Sequence, residues 1–205
     1  MVIEKKGFAP MCDFAPLNLC LASASPRRRE ILGLITRDFT VCVSGEDEVL
    51  PHQMPAEEMV QYLARQKAQA VAKSRPDCTV LGSDTVVGLD GRTYGKPRDR
   101  DHAAEMLRTF SGTDHQVHTG VCILRGQREI VFCETVQMHM RPITEAELQA
   151  YLDTGLWADK AGAYGINGPA AAFFTGIEGD FYAAFGLPLC RVYQVLTELL
   201  ADAGH

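Results

Sequence analysis

Leu19-Cys-Leu-Ala-Ser-Ala-Ser-Pro-Arg-Arg-Arg-Glu-Ile-Leu32 carries the strongest fold signal in the chain. It opens as a strand and turns within a few residues into a helix, with Ser25 as N-cap and Pro26 as the favoured first helical residue. Arg27, Arg28 and Arg29 therefore fall in the first helical turn, where unpaired N–H groups and the helix dipole already favour an anion. Cations stacked there are unfavourable unless something negative binds. A phosphate group fits, because helix N-termini are ready-made anion sites and arginine forks match phosphate oxygens. A solvated basic helix start is the competing explanation.

Working outward, the sequence predicts a first strand at about 18 to 23, the arginine helix to about 34, and a second strand over 39 to 44. A loop follows, carrying Glu46, Asp47, Glu48, Pro51 and Pro55. A long helix is expected from about 56 to 74, with Val60, Leu63, Ala64 and Val71 at helical spacing and Lys67 in the middle of that apolar stripe. Residues 78 to 89 read as two β-rich runs interrupted by Gly82-Ser83-Asp84, and Asp90-Gly91 as a hairpin turn. Then come a helix over 99 to 110, a hairpin from strands at 116 to 124 and 129 to 139, and a helix to about 153 opened by a Thr144/Glu147 capping box. Strand-like patches at 172 to 177 and an amphipathic helix from Pro188 to about 201 close the chain. Strands and helices interleave without one repeated βαβ register, so the expected class is α/β with a mixed sheet. Residues 1–17 read as a poorly specified leader and 18–205 as one domain.

With 205 residues, 46% hydrophobic and 22% charged, the composition is that of a globular protein able to bury a substantial core. A net charge of −6 argues against a protein that coats a nucleic-acid polymer, so any phosphate must meet a locally focused cationic cluster. The seven cysteines form no Cys-x-x-Cys pair and read as buried thiols in a reducing compartment. The N-terminus lacks a long apolar run, and no 18-residue apolar stretch occurs, so a soluble cytoplasmic protein without membrane partners is expected.

Asp84 stands inside Val80-Leu-Gly-Ser-Asp-Thr-Val-Val-Gly88, otherwise apolar enough for a central strand. Burying a carboxylate there is costly unless it is hydrogen-bonded, paired or bound to a metal. It is read as a general base or metal ligand at a cleft edge, against a turn aspartate between two short strands. Lys67 is the second misplaced charge, against the alternative of snorkelling along the helix. Lys96, in Gly95-Lys96-Pro97, sits in a stiff loop that lets a ligand approach closely. Glu46, Asp47 and Glu48 are either a solvated loop or, with Asp84, oxygen ligands for Mg²⁺ or Mn²⁺. His115 and His118 read as strand residues on opposite faces rather than as ligands. P-loop, zincin and α/β-hydrolase motifs are absent from the sequence. A nucleoside triphosphate carries about four negative charges, which Arg27, Arg28, Lys67 and Lys96 match, while a divalent metal would reconcile it with Asp84 and Glu48.

Seven segments, in order, resemble the Maf family of nucleoside triphosphate pyrophosphatases. They are Leu21-Ala-Ser-Ala-Ser-Pro-Arg-Arg-Arg-Glu-Ile-Leu32, Leu63-Ala-Arg-Gln-Lys-Ala68, Gly82-Ser-Asp-Thr-Val86, Gly95-Lys-Pro97, Ser111-Gly-Thr-Asp-His-Gln-Val-His-Thr-Gly120, Asp159-Lys-Ala-Gly-Ala-Tyr-Gly-Ile-Asn-Gly168 and Gly186-Leu-Pro188. The resemblance implies an elongated, two-lobed mixed sheet flanked by helices around a deep central cleft, of Maf/ITPase-like type. It also implies metal-assisted hydrolysis between the α and β phosphates, with Mg²⁺ or Mn²⁺ as cofactor. By the same resemblance Asp84 is the proton acceptor, with Glu48 and Asp84 at the metal and Lys67 and Lys96 around the phosphates. The resemblance also assigns Ser23 and Arg28 to the phosphate-binding turn.

Arg27 and Thr85 match the branch of the family that acts on dTTP and UTP, whereas Asn167 stands where that branch carries glutamine. Asparagine keeps the amide but is one methylene shorter, which puts a base contact in doubt. The expected function is a house-cleaning pyrophosphatase for dTTP, UTP or modified pyrimidine nucleotides. Competing with it are a 7-methyl-GTP-type pyrophosphatase, one acting on inosine- or xanthosine-type purines, and a non-hydrolysing nucleotide-binding regulator of cell division. The expected partner is a small nucleotide, and the sequence leaves a homodimer as an open option.

Overall fold

The structure, a computed structural model, describes residues 11–43, 45 and 49–203. Its strands are β1 (Leu19–Ala22), β2 (Phe39–Val41), β3 (Thr79–Leu89), β4 (Arg92–Tyr94), β5 (Asp114–Arg125), β6 (Arg128–Met140) and β7 (Phe174–Glu178). Its helices are α1 (Pro26–Leu32), α2 (Ala56–Ala72), α3 (Arg100–Phe110), α4 (Glu145–Asp153), α5 (Phe181–Phe185) and α6 (Leu189–Ala203). One seven-stranded sheet runs in the order β2-β1-β3-β5-β6-β7, with β4 also paired to β3. β1 is parallel to β2 and β3, and the remaining pairs are antiparallel. This is the mixed α/β sheet expected from the sequence.

The main departure from expectation is β3. Gly82-Ser83-Asp84 does not interrupt it; the strand is continuous over 11 residues, with Asp84 near its middle. The reason is β5, which pairs with β3 without a break from Val80↔Leu124 to Gly88↔Gln116 and so satisfies one whole edge. On the other edge β1 reaches only Gly82, and β4 begins only at Val87. Among the described residues, the four from Ser83 to Val86 therefore have no strand beside them on that edge.

Helix α2 lies on the sheet at van der Waals limits. A Cβ on Gly82 would stand 2.3 Å from Ala64 O, and one on Gly120 would stand 2.3 Å from Val60 O. Only glycine permits that approach at these points. Ala64, Ala68, Val80 and Cys122 pack beneath the helix with Cys20. Beyond the gap, Val87, Leu107, Phe110, Met138 and Tyr164 form a core with α3 and α4. Leu19, Leu21, Leu81, Ile123 and Leu196 form another with α1 and α6. Phe14 and Leu17, which the sequence assigns to the leader, are fully buried in that second core, and Phe14 meets Tyr193 edge-on.

Local signals mostly act as written. Asp90 and Gly91 both take positive φ, 49° and 73°, as a tight hairpin turn requires. The Thr144/Glu147 capping box is present, and Glu147, bonded first by Arg141 and then by Thr144, is held down to about 2. Helix α5 has no counterpart among the sequence expectations: five residues are too few to show periodicity, although Asp180 caps it by accepting from Tyr182 N and Ala183 N. All seven cysteines are free thiols, and burial pushes Cys20 up to about 11 and Cys122 to about 12.

His115 and His118 are strand residues, as expected, and both are buried. His115 Nε2 meets Tyr164 Oη at 2.8 Å and His118 Nδ1 meets Thr135 Oγ1 at 3.0 Å. Burial lowers both, His115 from 6.5 to about 4.

Gly120→Ala must displace the α2 backbone, and should lower the urea unfolding free energy by about 3 kcal/mol or more. Between pH 6.5 and 4 the unfolded chain binds a proton at His115 that the folded chain refuses, so stability falls as pH falls through that window. The His115 share of that loss is about 3 kcal/mol, and His115→Gln should flatten the pH dependence of the urea midpoint.

Candidate active site

The gap beside β3 is where β1 leaves the sheet to become α1, and the candidate site is assembled there. Alternation along β3 sends Asp84 to the face covered by α2 and Thr85 to the opposite face. Lys67, held in the α2 stripe by Leu63, Ala64 and Val71, forms an ion pair with Asp84 Oδ1. The two side chains are 15% and 12% exposed, so this is a largely desolvated pair. Asp84 Oδ2 takes no hydrogen bond among the described residues.

Arg28 ties the other face together. Its Nε donates to Gly186 O at 2.9 Å, Nη1 to Ser23 Oγ at 3.2 Å and Nη2 to Thr85 Oγ1 at 3.0 Å. Thr119 Oγ1 donates its one proton to Ala183 O at 2.8 Å, so at its 3.0 Å contact with Thr85 it must accept. Hydrogen bonds thus run in one direction, from Arg28 to Thr85, to Thr119, to the α5 carbonyl. Ser23 Oγ also accepts from Ser25 N at 3.2 Å, which shapes the turn into α1. Ser25 caps the helix by accepting from Arg28 N. Arg29, by contrast, is exposed.

These residues surround a cavity of about 770 Å³. Arg27, Arg28, Lys67, Asp84, Thr85 and Lys96 are all on its wall. Ser23 is buried behind it and reaches it through Arg28. Lys96 is exposed and has no ion-pair partner among the described residues. Asn167 is exposed and not on the wall, although Gly165 beside it is. Glu48, with Glu46 and Asp47, lies outside the described residues. Among the described residues, no group of three or more His, Cys, Asp or Glu is placed to hold a metal.

Asp159, Lys160 and Tyr164 also line the cavity, and sequence reasoning gave them no role. Arg27 Nη1 donates to Asp159 Oδ2 at 3.0 Å. Their segment was visible in the sequence only as a motif, because its contact with Arg27 spans 132 residues. Burial pushes the Tyr164 hydroxyl strongly up, so it stays protonated against His115.

The class that fold and site define is a mixed α/β protein with a cation-lined cavity beside a buried aspartate at a break in its sheet. More narrowly, the chain belongs to the Maf family, described as Maf-like protein, whose model matches residues 18–199. A Bacillus velezensis protein named dTTP/UTP pyrophosphatase is 45% identical over 88% of this chain and 96% of its own. A Symbiobacterium thermophilum protein of the same name is 46% identical over 88% of this chain and 93% of its own. Among solved structures, the Staphylococcus aureus Ham1 protein matches with a TM-score of 0.44 and 17% identity, over 60% of this chain and 71% of that one.

Thr85→Val removes the middle of the directed hydrogen-bond series, leaving an Arg28 donor and Thr119 without that partner. The cost expected is about 1–3 kcal/mol in unfolding free energy, while Thr85→Ser should retain most of the stability. Chemical denaturation of the two variants beside the parent measures the difference.

Proposed function

We propose that this protein is a nucleoside triphosphate pyrophosphatase that cleaves dTTP and UTP between the α and β phosphates. The products are the nucleoside monophosphate and pyrophosphate, a house-cleaning activity. The observation that carries this is Asp84, a buried carboxylate placed in a cavity with Arg28, Lys67 and Lys96. Relatives at 44–46% identity named dTTP/UTP pyrophosphatase support the substrate assignment. Arg27 and Thr85 on the cavity wall support it further.

In this mechanism the cationic side chains seat the polyphosphate, and Lys67 holds Asp84 through Oδ1. Asp84 Oδ2, without a partner among the described residues, accepts the proton of the attacking water. Arg28 is oriented for phosphate by its bonds to Gly186, Ser23 and Thr85. Lys96, on its Gly95–Pro97 loop, adds a further cation for the phosphate chain at the cavity wall.

A hard divalent cation, Mg²⁺ or Mn²⁺, fits this donor set. Such ions are commonly held by one or two carboxylates plus substrate phosphates rather than by a full protein cage. Asp84, with Glu48 outside the described residues, would hold it. When bound, the ion would screen the phosphates and favour ionised water. The free thiols support residence in the cytoplasm.

A nucleotide panel with Mg²⁺ or Mn²⁺, read by pyrophosphate release, tests the proposal. Turnover of dTTP and UTP is expected. Release from 7-methyl-GTP alone would overturn the substrate, and tight binding without turnover under either metal would favour a regulator. Asp84→Asn should lower kcat by about 10²–10⁴-fold, and near-normal turnover would remove Asp84 from the chemistry.

A further inference from the structure

Among the described residues, Arg27 is held by Asp159 alone. Its Nη1 donates to Asp159 Oδ2 at 3.0 Å and its Nη2 to the Asp159 backbone carbonyl at 3.1 Å, which together fix the guanidinium plane. Lys160 Nζ donates to the other carboxylate oxygen, Oδ1, at 2.6 Å. The lysine stem packs on Gly165, where an added Cβ would stand 2.7 Å from Lys160 Cε. The segment is anchored from both ends: Trp157 Nε1 donates to Leu152 O at 2.8 Å, and Gly162 N to Gly95 O at 3.0 Å. Burial alone would lift the Asp159 carboxyl, but the Lys160 hydrogen bond and the charges of Arg27 and Lys160 bring it below its usual range. It is therefore ionised at neutral pH.

Asp159 changes what Arg27 can do. A guanidinium has five N–H donors and no acceptor. Two are used on Asp159, and the other three have no acceptor among the described residues. With its charge offset by a carboxylate, Arg27 is a weaker counter-charge for polyphosphate than an unpaired arginine would be. It remains a rigid, donor-only surface on the cavity wall, suited to a neutral oxygen acceptor. Uracil and thymine carry two ring carbonyls. Cytosine replaces one of them with an amine, which would set N–H against N–H and leave both unsatisfied.

We propose, resting on the pyrophosphatase function above, that Asp159 is a positioning residue for base selection. Braced by Lys160, it holds Arg27 as a hydrogen-bond donor to the 4-carbonyl of the base, the one cytosine replaces with an amine, so that uracil and thymine nucleotides are taken in preference to cytosine nucleotides.

The test compares kcat and KM for UTP and CTP in the parent, Asp159→Asn, Arg27→Ala and the double variant, with thermal midpoints recorded alongside. The UTP-to-CTP ratio of kcat/KM should fall at least about tenfold in Asp159→Asn, chiefly through KM for UTP. The double variant should fall no further than Arg27→Ala alone, since the two residues act as one unit. A merely structural role would depress both nucleotides alike and leave the ratio in place. A ratio within about twofold of the parent, or losses that multiply in the double variant, would overturn the proposal. Calorimetric binding of UMP and CMP reads the same selection without turnover. A parent that hydrolyses nothing would thus sink the hydrolytic function alone, while an unchanged UMP-to-CMP preference in Asp159→Asn would sink this inference.

Discussion

Everything at the site depends on the unequal edges of β3. Along β5 its pairing is unbroken, which keeps the strand continuous and its backbone paired through Asp84. Along the other edge the partner changes from β1 to β4, and among the described residues the four between have no strand beside them. That break lets one strand contribute residues of both faces, Asp84 and Thr85, to a single cavity. A complete sheet would have covered them. A true interruption would have lost the rigidity that holds Asp84 under α2.

The faces are then supplied by different means. On one, glycines at 82 and 120 let the α2 backbone descend until Lys67 meets Asp84. On the other, Arg28 passes its hydrogen bonds through Thr85 and Thr119 to the carbonyl of Ala183 in α5. Close packing positions the first half of the site, and directed polar contacts position the second. The adjacent arginines differ accordingly: the bonds described for Arg28 end on neutral oxygens, whereas Arg27 ends on a carboxylate.

Much of this was legible in the sequence because the signals are local. Ser25-Pro26, Asp90-Gly91 and Thr144 with Glu147 each specify a turn or cap through chemistry within four residues. Lys67 and Asp84 stood out because charge in an apolar period is costly wherever the fold places it. The continuity of β3 was not legible, since Gly82-Ser83-Asp84 looks like a break until β5 is known to run beside it. Asp159 was likewise hidden: an aspartate in a loop carries no signal until the fold brings Arg27 to it. Asn167 illustrates the reverse, a motif position that the structure leaves on the exposed surface rather than on the cavity wall.

The span of these contacts also sets an order of events during synthesis. Arg28 lies 158 residues from Gly186, and Arg27 lies 132 from Asp159. A growing chain therefore carries all three arginines from its first few dozen residues, yet cannot assemble their surroundings until nearly the whole polypeptide has emerged. An unfinished chain presents a basic helix start with its Ser23 and Ser25 contacts already encoded beside it, but without Asp159 and Gly186. The Arg28 bond to Gly186 and the Thr119 bond to Ala183 wait on the α5 segment, so the hydrogen-bond series closes late in synthesis.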